Sequence, residues 1–419
     1  MKKLFVLLLS LVVAFIPNLS RASDESPKTD AVSLHLSPAT WIQIPHGFTV
    51  GGMLSARSGS LIAWGWNLLA DVGCGQTATL EIIKYDKNGA LDQSFATGGI
   101  FSYSLLNSTY PYGLTFDTQG NLYVSGESMN LTPTSCDLTD YQSFILKLSP
   151  NGILDTSFGE AGKLRTNFAL SRIHKNIIYL SANAGVKAYT LDGKPYSGFG
   201  VNGSATLTKS SLQVATLAFG DDAIYVSGSV INPCQAASTC APNSKIAQYG
   251  ITSLSYQGTE QDTFRGNSNF IYSNGYKDGP STAPVLIDDK LYFTGSVLSA
   301  VQPVYSRDTF ILSTSTSGAI NSNFGTLGRI WLSTASPSTS WLQYAEKTRT
   351  NQLLLVTVEK NVSRNFLVAS SKEKPGNGLV SIGSITAAGY LDQNADGTFL
   401  SYSEPDSVNK IKVQLVTVS

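Results

Sequence analysis

Residues 149–164 read "SPNGILDTSFGEAGKL" and bring together Asn151-Gly152, Asp155, Phe158-Gly159 and Gly162. Glycines this close to an acid occur in loops that bind phosphate or a metal ion, and also in tight turns. A phosphate-binding loop opens a helix, whereas this stretch runs into the strand-like segment "KLRTNF". The pattern therefore favours a turn.

The stretch recurs along the chain. "DKNGALDQSFATGGIF" begins at Asp86 and "LDGKPYSGFGVNGSAT" at Leu191, with weaker copies from Tyr256 and Thr316. Each copy keeps a phenylalanine with glycine close behind it, at Phe95, Phe158, Phe199, Phe264 and Phe324. A motif repeated in this way is one part of a larger structural unit.

Short runs of alternating apolar residues, bounded by Gly, Asn, Asp and Pro, indicate four β-strands per unit. The second strand is found seven times, from "SLIAWGW" at Ser60 to "TFLSYSE" at Thr398. The third strand is also found seven times, and its last copy, "IKVQLVTVS", ends the sequence. The seventh unit therefore lacks a fourth strand.

An unassigned strand, "AVSLHLS" at 31–37, is available to complete that unit. The count predicts an all-β fold, a seven-bladed β-propeller of four-stranded blades, with the ring closed by residues 31–37. In this fold residues 149–162 connect the third strand of a blade to its outermost strand. We expect Leu154 and Phe158 to pack into the gap between neighbouring blades.

Two segments, "GNLYVSG" at 120–126 and "FILKLSPNGILDTSFGEAGKL" at 144–164, resemble the bacterial delta-60 repeat family. The resemblance is strong in units one and two, recognisable in three and five, and weak in four, six and seven. Unit six has "KEKPGNGL" in place of the repeated turn. The resemblance implies a β-propeller-type repeat and no particular reaction.

The first residues have the features of a secretory signal peptide. Lys2-Lys3 precede an apolar run at 4–16 that is too short to span a bilayer, and Ser20-Arg21-Ala22 fits a cleavage site. We expect a signal peptide over 1–22, a linker over 23–30 and one propeller domain over 31–419. The protein is then exported, to the periplasm, the medium or the cell surface.

The charge balance excludes some partners. The net charge is zero and 14% of residues are charged, which argues against nucleic acid and against an acidic membrane surface. We expect a monomer that spans no membrane and needs no cofactor.

Function is expected on the long connections between second and third strands, at 67–77, 129–141, 231–244 and 298–308, because irregular loops on a rigid scaffold carry binding sites. On this side of the fold five aromatic residues are candidates to stack on a sugar or anchor a peptide, although they could instead pack their own loops. They are Tyr110, Tyr112, Tyr276, Tyr305 and Trp341.

All four cysteines fall in the same connections. Cys234 and Cys240 share one of them, and Cys74 and Cys136 occupy equivalent ones in adjacent units, so we expect two disulfides in an exported chain. A zinc site is the alternative, but the spacing fits no usual ligand pattern.

The string "DQNADG" places Asp392, Asn394 and Asp396 like the first ligands of a calcium loop. The twelfth position is Ser403 rather than Glu, so an ordinary turn is the stronger interpretation.

Catalysis has little support in the sequence. His35, His46 and His174 lie on or beside predicted strands, and no nucleophile motif accompanies them. The sequence predicts a non-catalytic protein that binds a protein, peptide or glycan. A hydrolase or lyase with its site at the mouth of the same face is the first alternative, and a structural component of the cell surface is the second.

Overall fold

A computed structural model describes residues 34–56, 59–71, 76–132, 135, 137–166, 170–182, 184–208, 212–230, 248–261, 270–272, 279–280, 282–299, 306–332, 340–348, 351–359, 363–369, 379–386, 389–392, 398–403 and 405–418. These residues form thirty β-strands, with no helix among them. It follows that no described segment is a helix long and apolar enough to cross a membrane.

The strands are arranged as antiparallel groups in chain order, beginning with β1 (Leu34–Leu36) and β2 (Thr40–Gln43). Group 1 contains β3 (Phe48–Ser55), β4 (Leu61–Asp71), β5 (Gln76–Tyr85) and β6 (Ile100–Tyr103). Group 2 contains β7 (Ser108–Phe116), β8 (Leu122–Leu131), β9 (Leu138–Leu148) and β10 (Lys163–Thr166). Group 3 contains β11 (Leu170–His174), β12 (Ile177–Ala182), β13 (Gly185–Thr190) and β14 (Ser204–Thr206). Group 4 contains β15 (Leu212–Phe219), β16 (Ala223–Val230), β17 (Gln248–Ser255) and β18 (Phe270–Tyr272).

The later groups repeat the arrangement with small changes. Group 5 contains β19 (Gly279–Pro280), β20 (Val285–Ile287), β21 (Lys290–Ser299), β22 (Ser306–Ser315) and β23 (Arg329–Leu332), with β19 and β20 both paired to β21. Group 6 contains β24 (Ser340–Lys347), β25 (Leu353–Glu359), β26 (Ser363–Ala369) and β27 (Leu379–Thr386). Group 7 contains β28 (Gly389–Asp392), β29 (Thr398–Tyr402) and β30 (Lys410–Val418). Groups 1 and 2 form one eight-stranded sheet through a single parallel pairing, Ala78 with Ser108.

The two ends of the described chain share the sheet of group 7. Strand β1 pairs antiparallel with β30, with Leu34 opposite Val418, and β2 pairs with the same strand, with Thr40 opposite Val413. The backbone N–H of Ser37 adds a bond to the Leu415 carbonyl at 2.8 Å. The segment 34–43 thus supplies the outer strand of group 7.

Hydrophobic clusters lie between the groups, because successive residues of a strand point to opposite sides of its sheet. In β12, Ile178 and Leu180 belong to a cluster with Phe158 of group 2, whereas Tyr179 belongs to a cluster with Leu217 of group 4. This alternation explains why "IIYL" at 177–180 has no polar residue between its apolar ones: both sides of the sheet are buried.

Equivalent clusters join other groups, including the first and last. Ile42 and Val413 of group 7 pack with Leu61 and Ala63 of group 1. The two ends of the described chain are therefore held together by a buried core as well as by strand pairing.

The repeated turn holds successive groups together. The side of the structure that carries the third-to-fourth-strand turns is called the turn face below. There the N–H of Ala96 donates to the Asn151 carbonyl at 2.7 Å, one group further along. Gly159 N–H donates in the same way to Asp192 at 2.9 Å, and Gly200 N–H to Gln257 at 2.8 Å. The turns of groups 2, 3 and 4 thus each rest on the turn before them.

Gly152 shows why the Asn-Gly pair is needed. Its φ is +76°, a conformation that favours glycine, and a Cβ built on it would lie 2.7 Å from the ring of Phe95 in group 1. Any side chain at this position would push the two turns apart.

The apolar residues of the motif fill the gaps on either side of group 2. Phe158 is fully buried and meets Tyr123 edge-on, with ring centroids 5.8 Å apart, in the cluster shared with group 3. Leu154 packs against the cluster shared with group 1. Both residues pack between groups, as the sequence predicts, but on opposite sides.

Asp155, the acid of the motif, organises the turn. Its Oδ1 accepts bonds from the Ser157 N–H at 3.1 Å and the Ser157 hydroxyl at 2.5 Å, and its Oδ2 lies 2.9 Å from Lys147 Nζ. The Ser157 hydroxyl, followed by Lys147, holds the pKa of Asp155 below its usual value. Asp92 of group 1 has the same partners in Ser94 and Lys84.

Replacing Phe158 with alanine is expected to lower the free energy of unfolding by about 3–5 kcal/mol, because the ring fills a closed gap between groups 2 and 3. Chemical denaturation measures the change. Ile153→Ala is the matched control, since Ile153 lies in the same turn but is 65% exposed. Equal stability of the two variants would refute the packing role.

Gly126 of β8 is required because the first strand of the group, β7, contains a β-bulge. In β7, Pro111 pairs with Gly126 and Gly113 pairs with Ser125, so Tyr112 is an extra residue in a β-bulge. Bulges occur at Gly51 in β3, Ser171 in β11, Ala215 in β15 and Gln343 in β24. A Cβ on Gly126 would lie 2.5 Å from the Tyr110 carbonyl oxygen and 2.8 Å from the Phe144 ring.

Gly126→Ala is expected to destabilise the protein by about 1–3 kcal/mol, because the bulged strand leaves no room for a methyl group. Gly113→Ala is the control: its Cβ would meet only Ser125 Oγ, at 3.7 Å. Thermal unfolding of both variants tests the difference, and a Gly126→Ala melting temperature equal to wild type would contradict it.

Candidate ligand-binding site

The opposite side of the structure, where the second and third strands of each group are joined, is called the hairpin face below. The sequence predicts loops over 67–77 and 129–141, and this is wrong for most of their length. Strand β4 continues to Asp71 and β8 to Leu131, while β5 begins at Gln76 and β9 at Leu138. The polar residues at the ends of these strands remain in β-structure because they pair across the hairpin, as Asn130 does with Asp140.

Of the other two predicted loops, 231–244 and 298–308, the structure describes only a part of the second. Residues 231–244 lie outside the described residues. In group 5, β21 reaches Ser299 and β22 begins at Ser306, so both ends of 298–308 are also strand.

The hairpin of group 2 extends beyond its neighbour. Strands β8 and β9 have 10 and 11 residues, whereas β12 and β13 of group 3 have 6 each and are joined at 183–184. The repeat aligns Tyr123 with Tyr179, so group 3 ends at the level of Gly126. Residues 127–131 and 138–143, on the side towards group 3, are called the ledge below.

Three side chains on the ledge are joined by hydrogen bonds. The Tyr141 hydroxyl donates to Glu127 Oε2 at 2.7 Å, and the Ser143 hydroxyl donates to the Tyr141 oxygen at 3.2 Å. Glu127 and Ser143 are directly opposite each other in the sheet. Tyr141 remains 47% exposed, so one side of an oriented aromatic ring faces solvent beside a carboxylate.

The electrostatics of the ledge suit binding better than proton abstraction. The Ser143 hydrogen bond favours the Tyr141 phenolate, but burial and the Glu127 carboxylate outweigh it and raise the pKa of Tyr141 above 10.0. The hydroxyl therefore stays protonated at neutral pH and acts as a hydrogen-bond donor.

Sequence reasoning missed Tyr141, Glu127 and Ser143 as a site. Period-2 alternation in "SGESMN" and "DYQSF" could have placed them on one side of a hairpin. The exposure of that side depends on the shortness of group 3, which no local pattern in group 2 contains.

Tyr110 and Tyr112, two of the predicted ligand-binding residues, lie on β7 in different surroundings. Tyr110 is half-buried and meets Trp66 of group 1 edge-on, with ring centroids 5.5 Å apart. It therefore packs against its neighbouring group. Tyr112, carried outwards by the bulge, is 55% exposed and is available to a ligand.

Other predicted site residues are described in part or not at all. Trp341 lies on β24 opposite Val358, and Asp392 ends β28 opposite Phe399. Outside the described residues lie Tyr276, Tyr305, Asn394, Asp396, Cys74, Cys136, Cys234 and Cys240. The predicted disulfides and calcium loop stay predictions, and within the described ranges no three His, Cys, Asp or Glu side chains gather around a metal position.

Glu81 is a half-buried carboxyl group in the middle of β5, opposite Gly65 of β4 and Ser102 of β6. Burial raises the pKa of Glu81, and hydrogen bonds from Asn67 and Ser102 partly oppose that rise. A hydrolase with its site at the hairpin face would need a carboxyl group with a raised pKa as its general acid.

The histidines occupy structural positions. His35 pairs with Thr417 in the sheet of group 7, and His46 lies in the turn before β3. His174 stacks on Phe219 with ring centroids 4.7 Å apart, and its Nε2 is 2.9 Å from the Tyr256 hydroxyl. It joins group 3 to group 4 on the turn face.

The stability of the protein is expected to fall as the pH drops below 6.5, the usual pKa of histidine. Burial, with Lys175 and Arg172 adding to it, lowers the pKa of His174, so the unfolded chain takes up the proton before the folded protein does. Denaturation at a series of pH values measures this loss. His174→Gln should weaken the dependence between pH 6.5 and the lower pKa of the folded state, and an unchanged dependence would contradict the assignment.

Comparison with known proteins supports the fold. The SBBP family, described as a beta-propeller repeat, matches residues 104–130, which include β7 and most of β8. Together with the all-β structure, this match shows a β-propeller-type repeat. No curated protein sequence matches the chain.

Similar solved structures share little sequence with this chain. The polysaccharide lyase Uly1 is 8% identical over 90% of both chains, with a TM-score of 0.52. Drosophila Plexin A in complex with Semaphorin 1b is 6% identical over 87% of both chains, with a TM-score of 0.39. The Plexin A4 extracellular region is 10% identical over 88% of this chain and 50% of the other, with a TM-score of 0.44. At such identities the likeness concerns the fold alone.

Proposed function

We propose that this protein is an exported, non-catalytic β-propeller that binds a protein, peptide or glycan through its hairpin face. The observation that carries the proposal is the contrast between the two faces. On the turn face, the repeated turns bond to one another, as in Gly159 to Asp192. On the hairpin face the hairpins differ in length, and the longer hairpin of group 2 carries Leu138 and the exposed ring of Tyr141 beside Glu127.

The proposal includes the finer architecture. Groups 1 to 7 are seven blades of one domain over 31–419, closed into a ring where segment 34–43 pairs with β30, and the repeats are of the delta-60 type. Pairing of both chain ends in one sheet and the shared cluster around Ile42 support closure. Cleavage after Ala22, the two disulfides and a monomeric state belong to the same proposal.

A hydrolase or lyase at the hairpin face is the second candidate, and the raised pKa of Glu81 is the observation in its favour. Glu81→Gln separates the two candidates. Turnover of a polysaccharide that is lost in this variant would favour the enzyme, whereas binding without turnover in both proteins favours the binding function.

The binding function is tested with a triple variant, Tyr112→Ser, Leu138→Ser and Tyr141→Ser, on glycan and peptide arrays. The matched control, Ile153→Ser, Val201→Ser and Leu327→Ser, removes three apolar side chains from the turn face that are each more exposed than the three residues of the first variant. We expect wild type and control to bind the same array members and the hairpin-face variant to lose them. No binding by wild type, or equal binding by both triple variants, would count against the proposal.

A further inference from the structure

We propose that the ledge of group 2 is a saccharide-binding site for uncharged sugars, in which Tyr141 supplies the stacking surface and Glu127 accepts sugar hydroxyls. This inference rests on the proposed binding function and narrows it to one ligand class and one place.

The Tyr141 ring is oriented before any ligand arrives. Its hydroxyl is bonded to Glu127 on the neighbouring strand and accepts the Ser143 hydroxyl on its own strand. A ring held at both its Cβ and its hydroxyl loses little conformational freedom on binding. Its exposed side can therefore stack against the C–H bonds of a pyranose ring at low entropic cost.

The polar groups around the ring match sugar hydroxyls. Glu127 Oε2 accepts the tyrosine hydroxyl, which leaves Oε1 as the atom that we assign to a ligand hydroxyl. A hydrogen bond to an ionised carboxylate is stronger than one to a neutral acceptor. Ser143 lies directly opposite Glu127, and its hydroxyl, which donates its proton to Tyr141, can accept a hydrogen bond from a ligand hydroxyl.

The ledge has room for more than one sugar unit. Strand β8 continues for five residues, 127–131, beyond the level at which group 3 ends. At about 3.3 Å per residue, this side of the hairpin extends roughly 15 Å beyond its neighbour. A chain of sugars can lie along it across the top of group 3.

The charge of the hairpin selects against acidic sugars. Asp137 and Asp140 are exposed on the same hairpin as Glu127. A uronic acid or sulfated sugar stacked on Tyr141 would meet the Glu127 carboxylate, and Asp137 and Asp140 add negative charge to the same hairpin; like charges in proximity cost binding energy. The ligand class is therefore neutral.

A peptide added as an extra strand fits this surface less well. Among the described residues β10 pairs with β9 at 143–146, so a peptide added as a strand would pair with the edge at 138–142. Asp140 lies on that edge, and charged residues on edge strands discourage such pairing. A peptide paired to this edge through its backbone would also not need the Tyr141–Glu127 pair for binding.

The test is affinity gel electrophoresis of the full chain with dextran, xylan and galactomannan as neutral polysaccharides and alginate as the acidic one. The variants are Tyr141→Ala, Tyr141→Phe and Glu127→Gln. The control is Trp41→Ala, which removes an equally exposed aromatic residue from the outer strand of group 7. Melting temperatures verify that each variant is folded.

We expect wild type and Trp41→Ala to bind at least one neutral polysaccharide with equal affinity. Tyr141→Ala and Glu127→Gln should each bind about tenfold more weakly, the loss of one good interaction. Tyr141→Phe keeps the stacking surface, so its affinity for the polysaccharide should lie between that of those two variants and that of wild type.

Four outcomes would overturn the inference. Alginate bound more tightly than every neutral polysaccharide would refute the ligand class. Neutral binding unchanged in Tyr141→Ala, but lost in the hairpin-face triple variant, would refute the location and leave the proposed function standing. A peptide whose binding is abolished by Asp140→Pro and unaffected by Tyr141→Ala would assign the ledge to strand addition. Absence of any ligand on the arrays would remove the proposed function together with the inference.

Discussion

The docking of the turns of groups 2, 3 and 4, each on the turn before it, is the contact on which the rest of the structure depends. Three backbone hydrogen bonds of 2.7–2.9 Å repeat it between groups 1 and 4. It fixes the spacing of the sheets, and the gap that results is filled by one phenylalanine from each motif, such as Phe158. Because this contact joins backbone atoms, most side chains of the repeated motif can vary without breaking it. The glycines and the phenylalanine of the motif are the positions that cannot.

Because the turns dock on one another, the turn face and the hairpin face have different roles. On the turn face, donors and acceptors of the repeated motif are engaged in holding groups together, and even the acid of the motif, Asp155, is held by Ser157 and Lys147. The opposite ends of the strands take no part in that docking and are free to differ in length. The difference between β8 and β12 is what exposes Tyr141 and Glu127.

The repeat made the strands, their order and the roles of Leu154 and Phe158 predictable, because identical residues at equal spacing report identical environments. The recurrent glycine of the second strand was visible as a pattern, but its reason, the bulge at Tyr112, depends on pairing with another strand. Tyr110 looked like Tyr112 in sequence and differs because Trp66 of group 1 covers it. The ledge could not be predicted from group 2, since its exposure is a property of group 3.

Amide hydrogen exchange measured by NMR tests the turn-docking contact most directly. The N–H groups of Ala96, Gly159 and Gly200 lie in turns, where exchange is ordinarily fast, yet each is bonded to the next group. We expect all three to be protected to the same degree as the amides of the buried residues 122–126 of β8, and Phe158→Ala to reduce the protection of Gly159 most. Exchange of these three amides at the rate of the unstructured chain would contradict it.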